Sequence, residues 1–183
     1  MTLESRGFAE RLVMGNNRDR LIRRLRRADG QERLRVWYPC ILAPDGAGRQ
    51  VKIHSKLIIV DDAFLRVGSS NLNNRSIGLD TECDLAIETR TWSERRAVSN
   101  LRDRLIAEHL DADPVQLATA ILDEGGSLIR AIERLNRGSR GLRPFAAMRD
   151  RGPSRPVLGT GLLEPEGPFE PLWLLRRKRR QRG

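Results

Sequence analysis

Aromatic residues make up only 4% of this 183-residue chain, and hydrophobic residues of all kinds 39%. So few rings allow a modest core at most, and the length suits one domain better than two. Cysteine is equally scarce. Cys40 and Cys83 are the only two, with neither CxxC nor Cys/His spacing, so they read as small buried hydrophobes or free thiols rather than a disulfide framework or a zinc site. No run approaches the roughly 18 consecutive apolar residues of a transmembrane helix. Glu4, Arg6, Glu10 and Arg11 break up the first residues where a signal peptide would have its apolar core. These absences together predict a soluble cytoplasmic protein. Histidine is as scarce as cysteine, with only His54 and His109.

What the chain has in excess is positive charge. Thirty-four Lys and Arg stand against 24 Asp and Glu, a formal net charge of +10, which calls for an anionic partner. The excess is uneven. Arg176 to Arg180 and Arg182, with Lys178, crowd the end, and a second basic run spans Arg18 to Arg27. Residues 51–87 are nearly balanced.

Asn17 is placed to cap a helix from Arg18 to Ala28 that ends at the Asp29-Gly30 turn signal. Leu34, Val36 and Tyr38 alternate with Arg35 and Trp37 as a short strand stopped by Pro39. The densest apolar stretch, Val51 to Val60, is rich in β-branched residues and reads as a buried strand. Asp61-Asp62-Ala63 turns the chain into a second strand, Phe64 to Val67, and the two form a hairpin. Gly68-Ser69-Ser70-Asn71 leaves that strand as a polar loop, and Cys83 to Glu88 is a third strand. Ser93 is expected to cap a long amphipathic helix to His109. Asp113-Pro114 opens a helix to Leu122, and Ser127 to Asn136 forms another. From Gly138 onward Gly, Pro and Arg dominate without periodicity, which predicts a folded unit over residues 1–137 and a largely disordered tail over 138–183.

On a strand, His54 and Lys56 point to the same face. Burying either without a partner costs roughly 1–3 kcal/mol or more, so a lone His-x-Lys is best explained as an exposed strand end. The surroundings argue for more. Asp61 follows at the strand end, and the Gly-Ser loop after Val67 offers backbone N–H groups, a hydroxyl and an amide, the kind of concavity that holds a phosphate. Lys56 supplies positive charge, and His54 a nucleophile or proton carrier working near neutral pH.

His54-x-Lys56-x4-Asp61-x6-Gly68-Ser69-x-Asn71 resembles the HKD motif of the phospholipase D superfamily. Asn73, Arg75, Ser76 and Asp80-Thr81-Glu82 continue the likeness to its lipid-acting members, over roughly residues 51–88. The resemblance implies an α/β half-domain, a mixed sheet flanked by helices, and covalent chemistry through a phosphohistidine. It implies that Lys56 and Asn71 hold the non-bridging phosphate oxygens, with Ser69 bordering the pocket. Glu82 would orient the His54 ring, and Asp61 would hold the loop or its neighbours in place. Neither a metal nor another cofactor is implied.

Sites of this family combine two such motifs, and this chain carries one. His109, followed by Leu110 and Asp111, reads as the end of a helix, where positive charge is favoured. The second motif would then come from a homodimer mate, or from an N-terminal half if the chain is a piece of a larger enzyme. Leu172-Trp173-Leu174-Leu175 before the terminal arginines suits an anionic membrane surface, in peripheral contact with the protein. Nucleic acid ranks behind lipid as a partner. Three readings stay open: a phospholipid-directed phosphodiesterase or phosphatidyltransferase, an inactive fragment that binds anionic surfaces, and a dimeric single-motif nuclease.

Overall fold

A computed structural model describes residues 16–78 and 80–148. The N-terminal residues 1–15 and the whole Arg-rich segment after Met148 lie outside it, so the expectations placed there stand as sequence readings. The described chain runs α1 (Asn16–Ala28), β1 (Trp37–Leu42), β2 (Gly48–Gln50), β3 (Lys56–Val60), β4 (Phe64–Gly68), α2 (Asn74–Gly78), β5 (Asp84–Glu88), α3 (Trp92–Leu110), α4 (Pro114–Asp123), α5 (Leu128–Leu135) and β6 (Arg140–Pro144), then a short 3₁₀ turn, Ala146–Met148.

The expected mixture of strands and flanking helices is present. The strands, however, do not form one mixed sheet. They pair wholly antiparallel in two three-stranded sheets, ordered β2-β1-β6 and β3-β4-β5. A strand ladder needs a partner on each register position, and β4 is too short to continue the hairpin past Gly68, which faces Lys56. The strand expected from Val51 therefore starts only at Lys56. Val51 instead donates its N–H to the carbonyl of Pro39, 2.9 Å away in the first sheet.

β1 differs from expectation in the other direction. Pro39 does not stop it: the ring is among the largest fully buried side chains, and Pro39 pairs with Leu142 of β6. Pairing with β2 begins only at Cys40, so the missing N–H of Pro39 interrupts no ladder on that side. β6 itself lies in the stretch expected to be disordered. It forms because β1 offers an open edge and because Asn136 brackets Leu142. The Asn136 amide donates to Leu142 O at 2.7 Å and its carbonyl oxygen accepts from Leu142 N at 2.8 Å. Phe145, 1% exposed, then locks the end of the segment against Ile22 of α1 and Ala147.

The main core is helical. Ala107 and Leu110 of α3, Leu117 and Ala120 of α4, and Ala131 and Ile132 of α5 pack together, with Trp37 and Leu142 of the first sheet against them. Small residues at Ala107, Ala120 and Ala131 let the three helices approach closely. Each of these three helices starts with a recognisable cap. Asp113 accepts from Val115 N, with Pro114 at the first helical position, and Ser127 caps α5. For α3 the cap is Thr91 rather than Ser93. Glu94 stands three residues after Thr91 and returns its carboxylate to the Thr91 N–H, completing a reciprocal pair that Ser93 cannot make.

The second sheet has two unlike faces. Directly opposed residues in antiparallel strands share a face. One face therefore carries Leu57, Val67 and Leu85, then Ile59, Leu65 and Ile87, all aliphatic. The other carries Lys56, Gly68 and Asp84, then Ile58, Arg66 and Ala86. Leu65 is buried, but Leu85 is 62% exposed and Leu57, Val67 and Ile87 about two-fifths exposed. Arg102 of α3 tethers this sheet to the helical core, reaching Asp62 in the β3–β4 turn at 2.5 Å.

Candidate active site

Lys56 opens β3, and His54 sits two residues earlier in the irregular approach to it. The Lys56 ammonium lies 2.7 Å from the His54 carbonyl oxygen and 3.2 Å from each ring nitrogen. The imidazole and the ammonium are thus brought together, both reachable from solvent, next to the end of β4 where the Gly68–Asn71 loop departs.

That loop is fastened at each residue. Ser69 donates its N–H to Cys83 O at 3.0 Å, its hydroxyl donates to Glu82 Oε2 at 2.5 Å, and the same hydroxyl accepts from Cys83 N at 2.9 Å. Ser70 donates both its N–H (3.2 Å) and its hydroxyl to the carboxylate of Asp84. Arg66 Nη2 meets the same carboxylate at 2.6 Å. Asn71 gives its N–H to Ser76 Oγ at 3.0 Å, leaving its side-chain amide at the surface, and Arg75 pairs with Asp80 at 2.9 Å. The hydrogen bonds from Ser70 and the Arg66 guanidinium hold the Asp84 carboxyl well below the usual range, at about 2.

Of the residues singled out in the sequence, His54 and Lys56 touch, and Ser69 and Glu82 touch, with Asn71 on the same loop. Glu82 is engaged by Ser69, while the His54 ring faces Lys56. Asp61 stands apart, exposed in the turn with φ 51°, and its neighbour Asp62 has φ 55°. Aspartate tolerates this left-handed region better than most residues, which explains the pair at a tight hairpin turn. The ionic anchor of the turn is Asp62, through Arg102, which also holds the nearly buried Asp103 at 2.8 Å.

Asp84, Arg66 and Ser70 were not picked out by sequence reasoning. Only the alternation of Arg66 with Leu65 and Val67, and of Asp84 with Leu85, hinted that both charges share a face. His109 does lie in the last turn of α3, but not as a favoured cation. Burial pushes its pKa below the ordinary 6.5, with Glu108 opposing and Arg140 adding to the effect, and its Nδ1 is enclosed without a hydrogen-bond partner. Cys40 is buried and Cys83 exposed, both as free thiols.

Residues 2–104, more than half of the chain, match the family described as "Cardiolipin synthase, PLD-like domain". The chain belongs to the phospholipase D superfamily. Among characterised phospholipases D it is 37% identical over 83 residues to phospholipase D zeta 1 of Arabidopsis thaliana, covering 38% of this chain and 8% of that protein. It is 38% identical over 78 residues to phospholipase D A of Dictyostelium discoideum, covering 36% and 6%. It is 38% identical over 93 residues to phospholipase D of Phytophthora infestans, covering 43% and 5%. The matches span less than a tenth of these relatives' length. No solved structure gave a significant match. Among the described residues no helix is long and apolar enough to cross a membrane.

Proposed function

We propose that this chain supplies one half of a phospholipase D-type active site that cleaves or exchanges phospholipid head groups. The observation that carries the reading is the contact between the His54 imidazole and the Lys56 ammonium beside the Gly68–Asn71 loop. An unprotonated ring nitrogen of His54 attacks phosphorus, forming a P–N bond as the P–O bond to the head-group alcohol breaks. A second imidazole donates its proton to the departing oxygen. That imidazole then takes a proton from water or another alcohol, which attacks phosphorus, and the P–N bond breaks to restore His54.

Lys56 and the Asn71 amide meet the non-bridging oxygens, with Ser69 at the border. The orienting role of Glu82 requires its carboxylate to turn from Ser69 to the His54 ring. His109, half-buried in the last turn of α3 with its Nδ1 enclosed, does not serve as the second imidazole. It comes from a second copy of the chain or from a separate half carrying its own motif. Asp61 contributes through the turn it shapes.

A specific observation favours lipid over nucleic acid as substrate. On the segment that follows the loop, the polar side chains of Asn73, Arg75 and Ser76 turn to internal partners. Leu72 and Ile77 are left 80% and 82% exposed. Apolar side chains displayed beside a phosphate site suit a bilayer surface, which would place the protein peripherally at a membrane.

The test is head-group release from vesicles of phosphatidylcholine and an anionic phospholipid, with EDTA present, over a range of protein concentrations. Expected are EDTA-resistant release that rises faster than linearly with concentration and its loss in His54→Ala. A flat baseline at every concentration overturns the homodimer and leaves either the half-site, restored by the complementary half, or an inactive surface-binding fragment. Cleavage of single-stranded DNA in place of lipid would replace this reading with a nuclease.

A further inference from the structure

Lys56, Gly68 and Asp84 form one cross-strand row on the face that bears the site. With neighbouring strands about 5 Å apart, Asp84 stands about 10 Å from Lys56, across Gly68. A carboxylate there is a poor choice on charge alone. Coulomb's law in water gives about a twofold weakening of any singly charged anion bound beside Lys56. The structure nevertheless makes room for it. A Cβ on Gly68 would meet the Asp84 carboxylate and lie 2.6 Å from Asp84 Cα, so only the bare glycine lets the carboxylate lie over β4. From that position it accepts the N–H and the hydroxyl of Ser70 and pairs with Arg66.

We propose that Asp84 is a positioning residue. Buttressed by Arg66, it clamps Ser70 at two points and so holds the next residue, Asn71, in place, its side-chain amide preset with Lys56 to receive a phosphate group while the loop's N–H groups and hydroxyls stay on protein partners. Pre-set donors cost nothing to order when the anion arrives, which offsets the repulsion of the extra negative charge. The inference rests on the phospholipase D reading in one respect, that phosphate is the ligand for which the loop is held.

The sign of one effect separates this role from plain electrostatics. Inorganic phosphate would be titrated into the whole chain while the His54 ring protons and the Ser69–Asn71 amides are followed by NMR, with His109→Gln separating the two histidines. Expected is phosphate affinity about two- to threefold weaker in Asp84→Asn, the roughly fivefold worth of one net hydrogen bond less the roughly twofold gain from the lost charge. The full loss of about fivefold is expected in Ser70→Ala, which changes no charge, with recovery in Ser70→Thr. Amide exchange at Ser70 and Asn71 should quicken in the first two variants while Ile58 and Arg66 keep their protection. Tighter phosphate binding in Asp84→Asn overturns the proposal, because charge alone would then rule. If the wild-type chain takes up no phosphate, the phospholipase D reading fails, yet the clamp is still judged by exchange. Unchanged exchange at Ser70 and Asn71 in Ser70→Ala overturns it, and Ser70→Ala serves equally should Asp84→Asn not fold.

Discussion

The absent side chain of Gly68 shapes the site as firmly as the side chains around it. Gly68→Ala forces β5 away from β4 or turns the Asp84 carboxylate out, since the added methyl would overlap backbone as well as side chain. A cost of about 1–3 kcal/mol is expected, as for other overpacked positions, read as a lower urea midpoint. His109 makes a different residue-scale prediction. Its folded-state pKa is lowered by burial below 6.5, so on acidification the unfolded chain takes up a proton before the folded one does. Stability is therefore intact above about pH 6.5 and falls below it. Urea midpoints at about pH 7.5 and about pH 5.5 should differ less in His109→Gln than in the wild type. The two histidines also mark what could be read from sequence. His54, Lys56, Ser69 and Asn71 are legible because their spacing is local. Asp84 and Arg66 are not, because their meeting depends on the register of β4 against β5.

Among the elements, α3 is the one to which the site-bearing sheet is tied. Arg102 bridges Asp62, in the hairpin turn, and the nearly buried Asp103. Arg102→Ala leaves Asp103 without this partner, and a loss of about 1–3 kcal/mol is expected in thermal unfolding. Asp62→Asn should cost less, because Arg102 keeps Asp103. The helices were the most legible elements. Asp113-Pro114 and Ser127 announce two of them, and the Thr91–Glu94 pair corrects the start of the longest by only two residues. Strand edges were least legible. β6, with sequence Arg-Gly-Leu-Arg-Pro, has almost no strand preference of its own. It is a strand because β1 and the Asn136 side chain supply partners that no local pattern announces.

At the scale of the whole molecule, charge and apolar surface are distributed differently. The second sheet has one mixed face, with Lys56, Arg66 and Asp84, on the side of the candidate site, and one wholly aliphatic face on the other. Burying that second face would leave Lys56 and the mixed face uncovered. Leu85, 62% exposed, is the most accessible point on it. Leu85→Lys is expected to lower both the binding of a hydrophobic dye to the folded protein and its self-association in sedimentation, with a change in stability within about 0.5 kcal/mol. The two sheets also differ in how far along the chain their partners lie. β3, β4 and β5 close on one another within Lys56–Glu88, whereas β1 must wait for β6, with Trp37 pairing to Pro144. Joining ends so far apart costs more chain entropy than turning a three-residue hairpin. The sheet that bears the candidate site can therefore assemble while later parts of the polypeptide are still being synthesised. Pulsed hydrogen exchange during refolding should find Ile58 and Arg66 protected ahead of Tyr38 and Cys40.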